Sequence, residues 1–391
     1  MKQKILIVGG SHSDIPLIEV AKRWGLYVIT TGNKSTDLGH SLADETHMVD
    51  FSDKDAVLEL AQKLDITFIC SSSNDFSLIS TAYVAEKLNL PGYDDYATTL
   101  TLHHKDLFRQ FTRENNFDVP FAEGFSSIED AKHYILKCQY PVVIKPVDLT
   151  GGKGITIAYT YLEALDALQK AFERSKAKRI VVEEFIEGTL HSFSMLLRDQ
   201  KVAFSFGDNE FSYKNPFLVS TSTSPSFNLA NVRKTLISQS EILATLLKLK
   251  DGLLHMQYLM NGNNIKIIEF TRRMPGDFYA KPVWLSTGVD YAEWALKASC
   301  GFNLSALAHE DQIGYYSRHC VMTDQNGQIQ DLVIDPLIKE NIIETFMWWQ
   351  KGDEIVDFMT YKAGIILLKY DTCEEMDEKN AKLHELIRIK L

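Results

Sequence analysis

The run Tyr140-Pro141-Val142-Val143-Ile144-Lys145-Pro146 is followed three residues later by Thr150-Gly151-Gly152-Lys153-Gly154-Ile155. An apolar strand ends on a lysine, and the proline after it keeps Lys145 extended. Alternation puts Val143 and Lys145 on one face of that strand and Val142 and Ile144 on the other. A lysine projecting from such a strand is costly unless it meets an anion or snorkels to solvent. The glycines beyond it let a backbone approach a phosphate with its N–H groups turned inwards. Their loop joins two apolar runs rather than a strand and a helix, so it reads as a hairpin flap. Taken singly, each feature also has an ordinary reading: a solvated lysine and a plain turn.

Two more stretches lie downstream. Ile180-Val181-Val182-Glu183-Glu184-Phe185-Ile186-Glu187-Gly188 is an apolar strand that runs into two acids and breaks at a glycine. Backbone groups at such a strand end can read an adenine edge, and an acid can accept from the amino group or a ribose. A solvated strand end is the plainer reading. Between Gln257 and Arg273, the cluster Gly262-Asn263-Asn264 separates two apolar runs and reads as a hairpin. A three-residue loop there sets Asn261 opposite Ile265 and, in register, Gln257 opposite Glu269, with Arg273 just beyond. Mg²⁺ sites use one or two carboxylates plus substrate phosphates; a half-buried cross-strand polar pair is the alternative.

Upstream, Lys4–Val8, Tyr27–Thr30 and Thr67–Cys70 read as strands, and Ile15–Trp24 and Ala56–Leu64 as helices. This alternation predicts a parallel sheet covered on both faces, with its ligand crevice at the carboxyl ends of the strands. Those ends carry Gly9-Gly10-Ser11-His12 and Ser71-Ser72-Ser73-Asn74-Asp75. Leu90-Pro91-Gly92 reads as a boundary. Beyond it come a helix over Thr98–Asn115, short strands joined by tight turns, and from about Phe302 a smaller segment closed by a charged helix over Cys373–Ile389. The expected units are 1–93, a Rossmann-like α/β domain; 94–301, an α+β domain; and 302–391, a small α+β domain. A length of 391 residues fits roughly 2–3 domains.

Apolar residues make up 45% and charged residues 24%, the balance of a folded chain rather than a disordered one. Lys and Arg total 41 against 52 Asp and Glu, a net charge of −11, which argues against a general nucleic-acid binder. A local basic pocket for one phosphorylated ligand remains compatible with that charge. The five cysteines are widely spaced with no CxxC, so free thiols in a reducing cytoplasm are expected. The apolar run Ile5–Val8 is shorter than a signal-peptide core, and no stretch reads as a membrane span. GxxxxGK[ST], GxGxxG after the first strand, HExxH and GxSxG are all absent. Nucleotide chemistry here needs another apparatus.

The order of the signals is more specific than any one of them. A helix lysine at Lys105, then PxxxKP, GGKG, EEFIEG and a hairpin ending ExxxR resembles the ATP-grasp superfamily over the whole chain. Within it the chain is most similar to carboxylate–amine ligases of the L-amino acid ligase type; purine-pathway and biotin-carboxylase-type members are the alternatives. The resemblance implies an ATP-grasp fold with a pre-ATP-grasp domain in front, and ATP held between two α+β subdomains. It implies that a carboxylate is phosphorylated and an amine attacks the acylphosphate. It assigns Lys105 and Lys145 to the ATP phosphates; Gly151, Gly152 and Gly154 to the flap; and Lys153 to the γ-phosphate. Glu183, Glu184 and the backbone of Phe185 and Ile186 would hold adenine, Glu269 and Gln257 would hold Mg²⁺ or Mn²⁺, and Arg273 would stabilise the transferring phosphoryl group. Gln257 stands where relatives carry Glu, Leu190 where many carry a ribose-binding Glu, with His191 beside it as a substitute, and Thr271 where Asn is common.

The implied partners are small carboxylate and amine substrates, with no nucleic acid and no membrane; a homodimer is compatible with the resemblance. The loops Tyr213–Phe217 and Ser220–Pro225 fall between the adenine strand and the metal hairpin, framing the acceptor side or forming a mobile loop. A second reading is an ATP-binding regulatory or scaffold protein with weakened catalysis, motivated by Gln257 and Leu190. Glu269, Arg273 and the GGKG run favour the enzyme, because phosphoryl transfer uses such parts.

Overall fold

In the computed structural model, which describes residues 2–391, the chain opens with a four-stranded parallel sheet. Its strands are β1 (Lys4–Val8), β2 (Tyr27–Thr31), β3 (Glu45–His47) and β4 (Phe68–Ser71), in the order β3-β2-β1-β4. The central strand β1 is apolar on both sides because both sides are covered. Ile5 and Ile7 pack with α1 (Ile15–Arg23), and Leu6 and Val8 with α2 (Lys54–Leu64) and α3 (Asp75–Leu88). Each of these fully buried side chains contributes roughly 1.5–3 kcal/mol. Asn74 caps α3 by accepting from the Phe76 N–H at 2.9 Å, which places Asp75 in the first turn.

The helix expected over Thr98–Asn115 is two helices, α4 (Tyr96–His103) and α5 (Lys105–Glu114). His104 between them is extended, with ψ 116°, and Arg179 donates to its Nδ1 at 3.1 Å. Tertiary contact thus overrides the helical pattern, and Lys105 becomes the first residue of α5 rather than an interior one.

A small antiparallel sheet follows: β5 (Ala122–Phe125), β6 (Val142–Pro146), β7 (Thr156–Ala158) and β8 (Ile180–Glu184), ordered β5-β8-β6-β7. Helices α6 (Ile128–Ile135) and α7 (Tyr161–Arg174) bury one face of it, packing on Val142, Ile144, Ile180 and Val182. A larger sheet has eight strands. It contains β9 (Thr189–Arg198), β10 (Lys201–Ser212), β11 (Val219–Ser224), β12 (Gly252–Asn261), β13 (Asn264–Thr271) and β14 (Tyr315–Val321), in the order β13-β12-β9-β10-β11-β14. It continues through Gly364–Tyr370 to Ile342–Met347, so segments 94–301 and 302–391 share one sheet. Helix α8 (Leu229–Leu246) backs its centre, burying Leu236 and Leu243 against Phe193, Met195 and Met256.

Two segments differ from expectation. Ser220–Ser224 is an inner strand of the large sheet, its hydroxyls buried and all but that of Ser224 paired, among them Thr221 Oγ1 with His319 Nδ1 at 2.8 Å and Thr223 Oγ1 with Asn209 Nδ2 at 2.9 Å. Short hydroxyl side chains supply their own partners and so replace an apolar strand. The closing helix spans only Cys373–Asn380; after a turn over Leu383–Leu386, Ile387–Lys390 pairs with Asp331–Ile334. Ile387 and Ile389 alternate at strand period, and Ile387 is buried. No helix among the described residues is long and apolar enough to cross a membrane.

Candidate functional site

A cavity of about 660 Å³ lies between the small sheet and the large one. Lys105, Lys145, Gly151, Gly152, Glu183, Glu184, Phe185 and Ile186 line it on one side, and Gln257, Glu269 and Arg273 on the other. Lys153, Gly154 and His191 do not line it.

On β6 the alternation directs Val143 and Lys145 into the cavity while Val142 and Ile144 stay in the core. Lys145 is held by Glu183, whose other oxygen accepts from Arg109 Nε at 2.8 Å. Glu183 is almost fully buried. Burial alone would push its carboxyl up, but Arg109 and then Lys145 outweigh it and hold it at about 2. Its side chain is thus committed to two cations and not free to meet adenine. Phe185, Ile186 and Glu187 form the cavity edge beyond it, and Glu184 accepts from the Phe121 N–H at 2.8 Å. Lys105 is anchored by the Leu149 carbonyl at 2.7 Å, and burial lowers its pKa.

The flap Thr150–Gly154 has Gly151, Gly152 and Gly154 at φ +63°, +73° and +75°. At Gly152 a side chain is excluded twice, because a Cβ would also come within 2.5 Å of the Phe217 carbonyl oxygen. The flap therefore rests on the loop after β10. Lys153 sits exposed near its tip.

Gln257 does pair with Glu269, but by another route than expected. The hairpin loop is one residue shorter, with Asn261 opposite Asn264, and a bulge between Gln257 and Tyr258 restores the register. Glu269 is half-buried on the cavity wall with no salt-bridge partner among the described residues. Gln257 Nε2 donates to Glu210 of β10 at 2.5 Å. Glu210 and its neighbour Asp208 are buried, and burial followed by their mutual repulsion raises the Glu210 carboxyl.

His191 is a correction. Leu190 lines the cavity and the next residue of β9 must face the other way. There His191 is fully buried, stacked on Tyr258 at 5.3 Å and bonded to Thr189 and Ser226. Burial lowers its pKa to about 4, so it is neutral near pH 7.

Arg273 Nε donates to Asp75 Oδ1 at 2.7 Å, tying the β12–β13 hairpin to α3 of the parallel sheet. Burial opposes the charge on Asp75, but Arg273 outweighs it and holds the carboxyl well below its usual range. Asp75 belongs to the polar strand end noted at Ser71–Asp75. At the far end of the cavity Asp277 meets Lys362, with Arg318 Nη1 at 3.4 Å and His12 Nε2 at 3.4 Å. Arg109, Glu210, Asp277, Arg318 and Lys362 were not singled out by sequence reasoning, and Asp75 was named only as part of the Ser71–Asp75 strand end. Arg109 had a signal, four residues after Lys105 on one helix face. Arg318 and Lys362 had none, because only strand order in the large sheet brings them here.

One wall therefore presents cations and a glycine flap, suited to a polyphosphate. The other presents an unpaired carboxylate and a guanidinium, suited to a metal and a transferring phosphoryl group. Residues 103–209 match the family model described as phosphoribosylglycinamide synthetase, ATP-grasp (A) domain. The chain has the ATP-grasp fold: it superposes on the L-amino acid ligase from Bacillus licheniformis with a TM-score of 0.84 at 19% identity, over 100% of this chain and 98% of that one. Phosphoribosylglycinamide synthetase from Anaerococcus prevotii gives 0.78 at 20% identity, over 100% of both chains. By sequence the chain is 30% identical over 165 residues to a phosphoribosylamine–glycine ligase of Lactococcus lactis, covering 41% of this chain and 39% of that protein. It is 26% identical over 184 residues to a formate-dependent phosphoribosylglycinamide formyltransferase of Wolinella succinogenes, covering 47% and 48%. The chain thus spans about half the length of the curated relatives it matches, or less.

Proposed function

We propose that the protein is an ATP-dependent carboxylate–amine ligase. The γ-phosphoryl group of ATP passes to a substrate carboxylate; an amine then displaces phosphate from the acylphosphate, leaving a C–N bond, ADP and phosphate. The observation that carries this reading is the single cavity that sets Lys105, Lys145 and the glycine flap against Glu269 and Arg273. The ligase relatives and the shared fold support it.

In this reading Lys105 and Lys145 neutralise the ATP phosphates, and Glu183 fixes Lys145 in place. The flap closes over the terminal phosphates and excludes water, and Lys153 moves in with it. Phe185 and Ile186 offer the strand-end backbone to adenine. Arg273, held by Asp75, meets the charge that develops on the transferring group. The unpaired Glu269 carboxylate and the amide oxygen of Gln257 fit Mg²⁺ or Mn²⁺, which would offset phosphate charge there. Segments 1–93, 94–301 and 302–391 divide the work: the first supplies Asp75, the second the nucleotide apparatus, the third Arg318 and Lys362. A cytoplasmic setting is supported by five free cysteines, three of them buried.

The test is a panel of amino acids and small carboxylates paired with amines, followed for nucleotide products. ADP with a condensed product supports the ligase. Nucleotide binding without turnover across the panel favours a binding-only protein.

A further inference from the structure

Glu210 is 7% exposed and lines the cavity, yet it has no ion pair among the described residues. Arg318 stands two strands away on β14, with its own ion pair to Asp277 at 3.4 Å, and acts on Glu210 only at longer range. Asp208, two residues earlier on the same face of β10, is committed to the hydroxyls of Ser192 and Tyr279. The Glu210 side chain makes one hydrogen bond among the described residues, the 2.5 Å contact donated by Gln257 Nε2. That bond reaches over a strand. Strand β9 lies between β12 and β10, and the β9 residue opposite Gln257 is the small Ser192. A buried acid met by one neutral amide and no cation is a costly arrangement. Its effect falls on the amide. An amide has a donor end and an acceptor end, and an ionised carboxylate only accepts. Glu210 therefore takes the NH₂ end of Gln257 and leaves the oxygen on the opposite side. On that side Gln257 pairs with Glu269 of β13. Neither the Gln257 oxygen nor the Glu269 carboxylate has a hydrogen-bond or ion-pair partner among the described residues, and both residues line the cavity.

We propose that Glu210 is a positioning residue: it holds the Gln257 amide by its NH₂ end, so that the amide oxygen faces the Glu269 side, where a divalent cation takes oxygen ligands. Without that tether the amide can turn either end to the cation, and the NH₂ end repels it. A neutral side chain at position 257 thereby serves as a dependable oxygen donor. The inference rests on the ligase reading for the cation, while the tether itself stands on the geometry of β12, β9 and β10.

The test has two readouts on the full chain. The first is nuclear magnetic resonance of ¹⁵N-glutamine-labelled protein without nucleotide or metal, with the Gln257 side-chain signal assigned by its loss in Gln257→Ala. Its NH₂ protons are expected to exchange slowly with solvent in the wild type and rapidly in Glu210→Leu, where nothing accepts them. Glu210→Ala carries the same expectation if Glu210→Leu does not fold. Exchange unchanged by the substitution overturns the tether. The second readout is Mn²⁺ affinity in the presence of ADP, followed by electron paramagnetic resonance through a double-mutant cycle. Glu210→Leu is expected to weaken Mn²⁺ by about fivefold in the wild type and by less than about twofold in Gln257→Ala, because the amide it orients is then gone. Equal losses in both backgrounds would make Glu210 a distant charge or a ligand in its own right and overturn the positioning role. Failure of Mn²⁺ and ADP to bind the wild type instead overturns the ligase reading, and the exchange measurement still decides the tether.

Discussion

Glu183 shows how much a single residue's role depends on neighbours far away in sequence. The strand end Glu183-Glu184-Phe185 was legible as a candidate site segment and does line the cavity, but the pairing of Glu183 with Arg109 and Lys145 depends on α5 and β6 packing on β8. Replacing it with Gln leaves two buried cations without their counter-charge. Glu183→Gln is expected to lower stability by about 3–5 kcal/mol, read by urea unfolding. A loss under about 1 kcal/mol would mean that the pair is solvated. His191 offers the complementary case. Its neutral buried form has a pKa near 4 against 6.5 for the unfolded chain, so the unfolded state binds the extra proton first as pH falls. The stability that His191 contributes is complete above pH 6.5 and declines towards pH 4. The expected outcome is that His191→Gln makes the loss of unfolding free energy between those values shallower by up to one proton, while nucleotide affinity is unchanged. An unchanged slope, or a lost nucleotide site, would contradict this placement.

At the scale of elements, the β12–β13 hairpin was readable in its Gln257–Glu269 pairing more than in its loop geometry. The Gly/Asn cluster located the turn and paired Gln257 with Glu269, yet a two-residue loop and a bulge were mistaken for a three-residue loop. The two errors cancel because each displaces the register by one residue, and side-chain alternation records only the result. The hydroxyl-rich strand β11 was less legible, since its partners lie on β10 and β14 and no apolar alternation marks it. In the proposed ligase the hairpin would meet a divalent cation asymmetrically: Glu269 would bring a carboxylate and Gln257 only an amide oxygen. Glu269→Ala is expected to weaken Mn²⁺ binding with ADP by about tenfold or more, Gln257→Ala by less, and Gln257→Glu to tighten it. Electron paramagnetic resonance of bound Mn²⁺ measures all three. A greater loss in Gln257→Ala than in Glu269→Ala would refute the assignment.

At the scale of the molecule, the layers were visible as two textures: parallel strands and helices first, antiparallel strands after Pro91. What the sequence could not show is how the layers close on one cavity. The Asp75–Arg273 pair spans 198 positions, and Arg318 reaches the cavity only because β14 follows β11 in the sheet. Asp75→Asn keeps the shape of the α3 terminus but removes the charge that orients Arg273. The expected result is a kcat lowered by about tenfold to a hundredfold, with nucleotide affinity changed by less than about threefold. Equal losses in both would make Asp75 a structural tie rather than a positioning residue.

The central claim is that a carboxylate is activated by the terminal phosphoryl group of ATP. Its most direct measurement is the fate of ¹⁸O in a turned-over carboxylate substrate. The account predicts ADP as the nucleotide product and one labelled oxygen carried into inorganic phosphate. Label appearing in AMP, with pyrophosphate released, would contradict it.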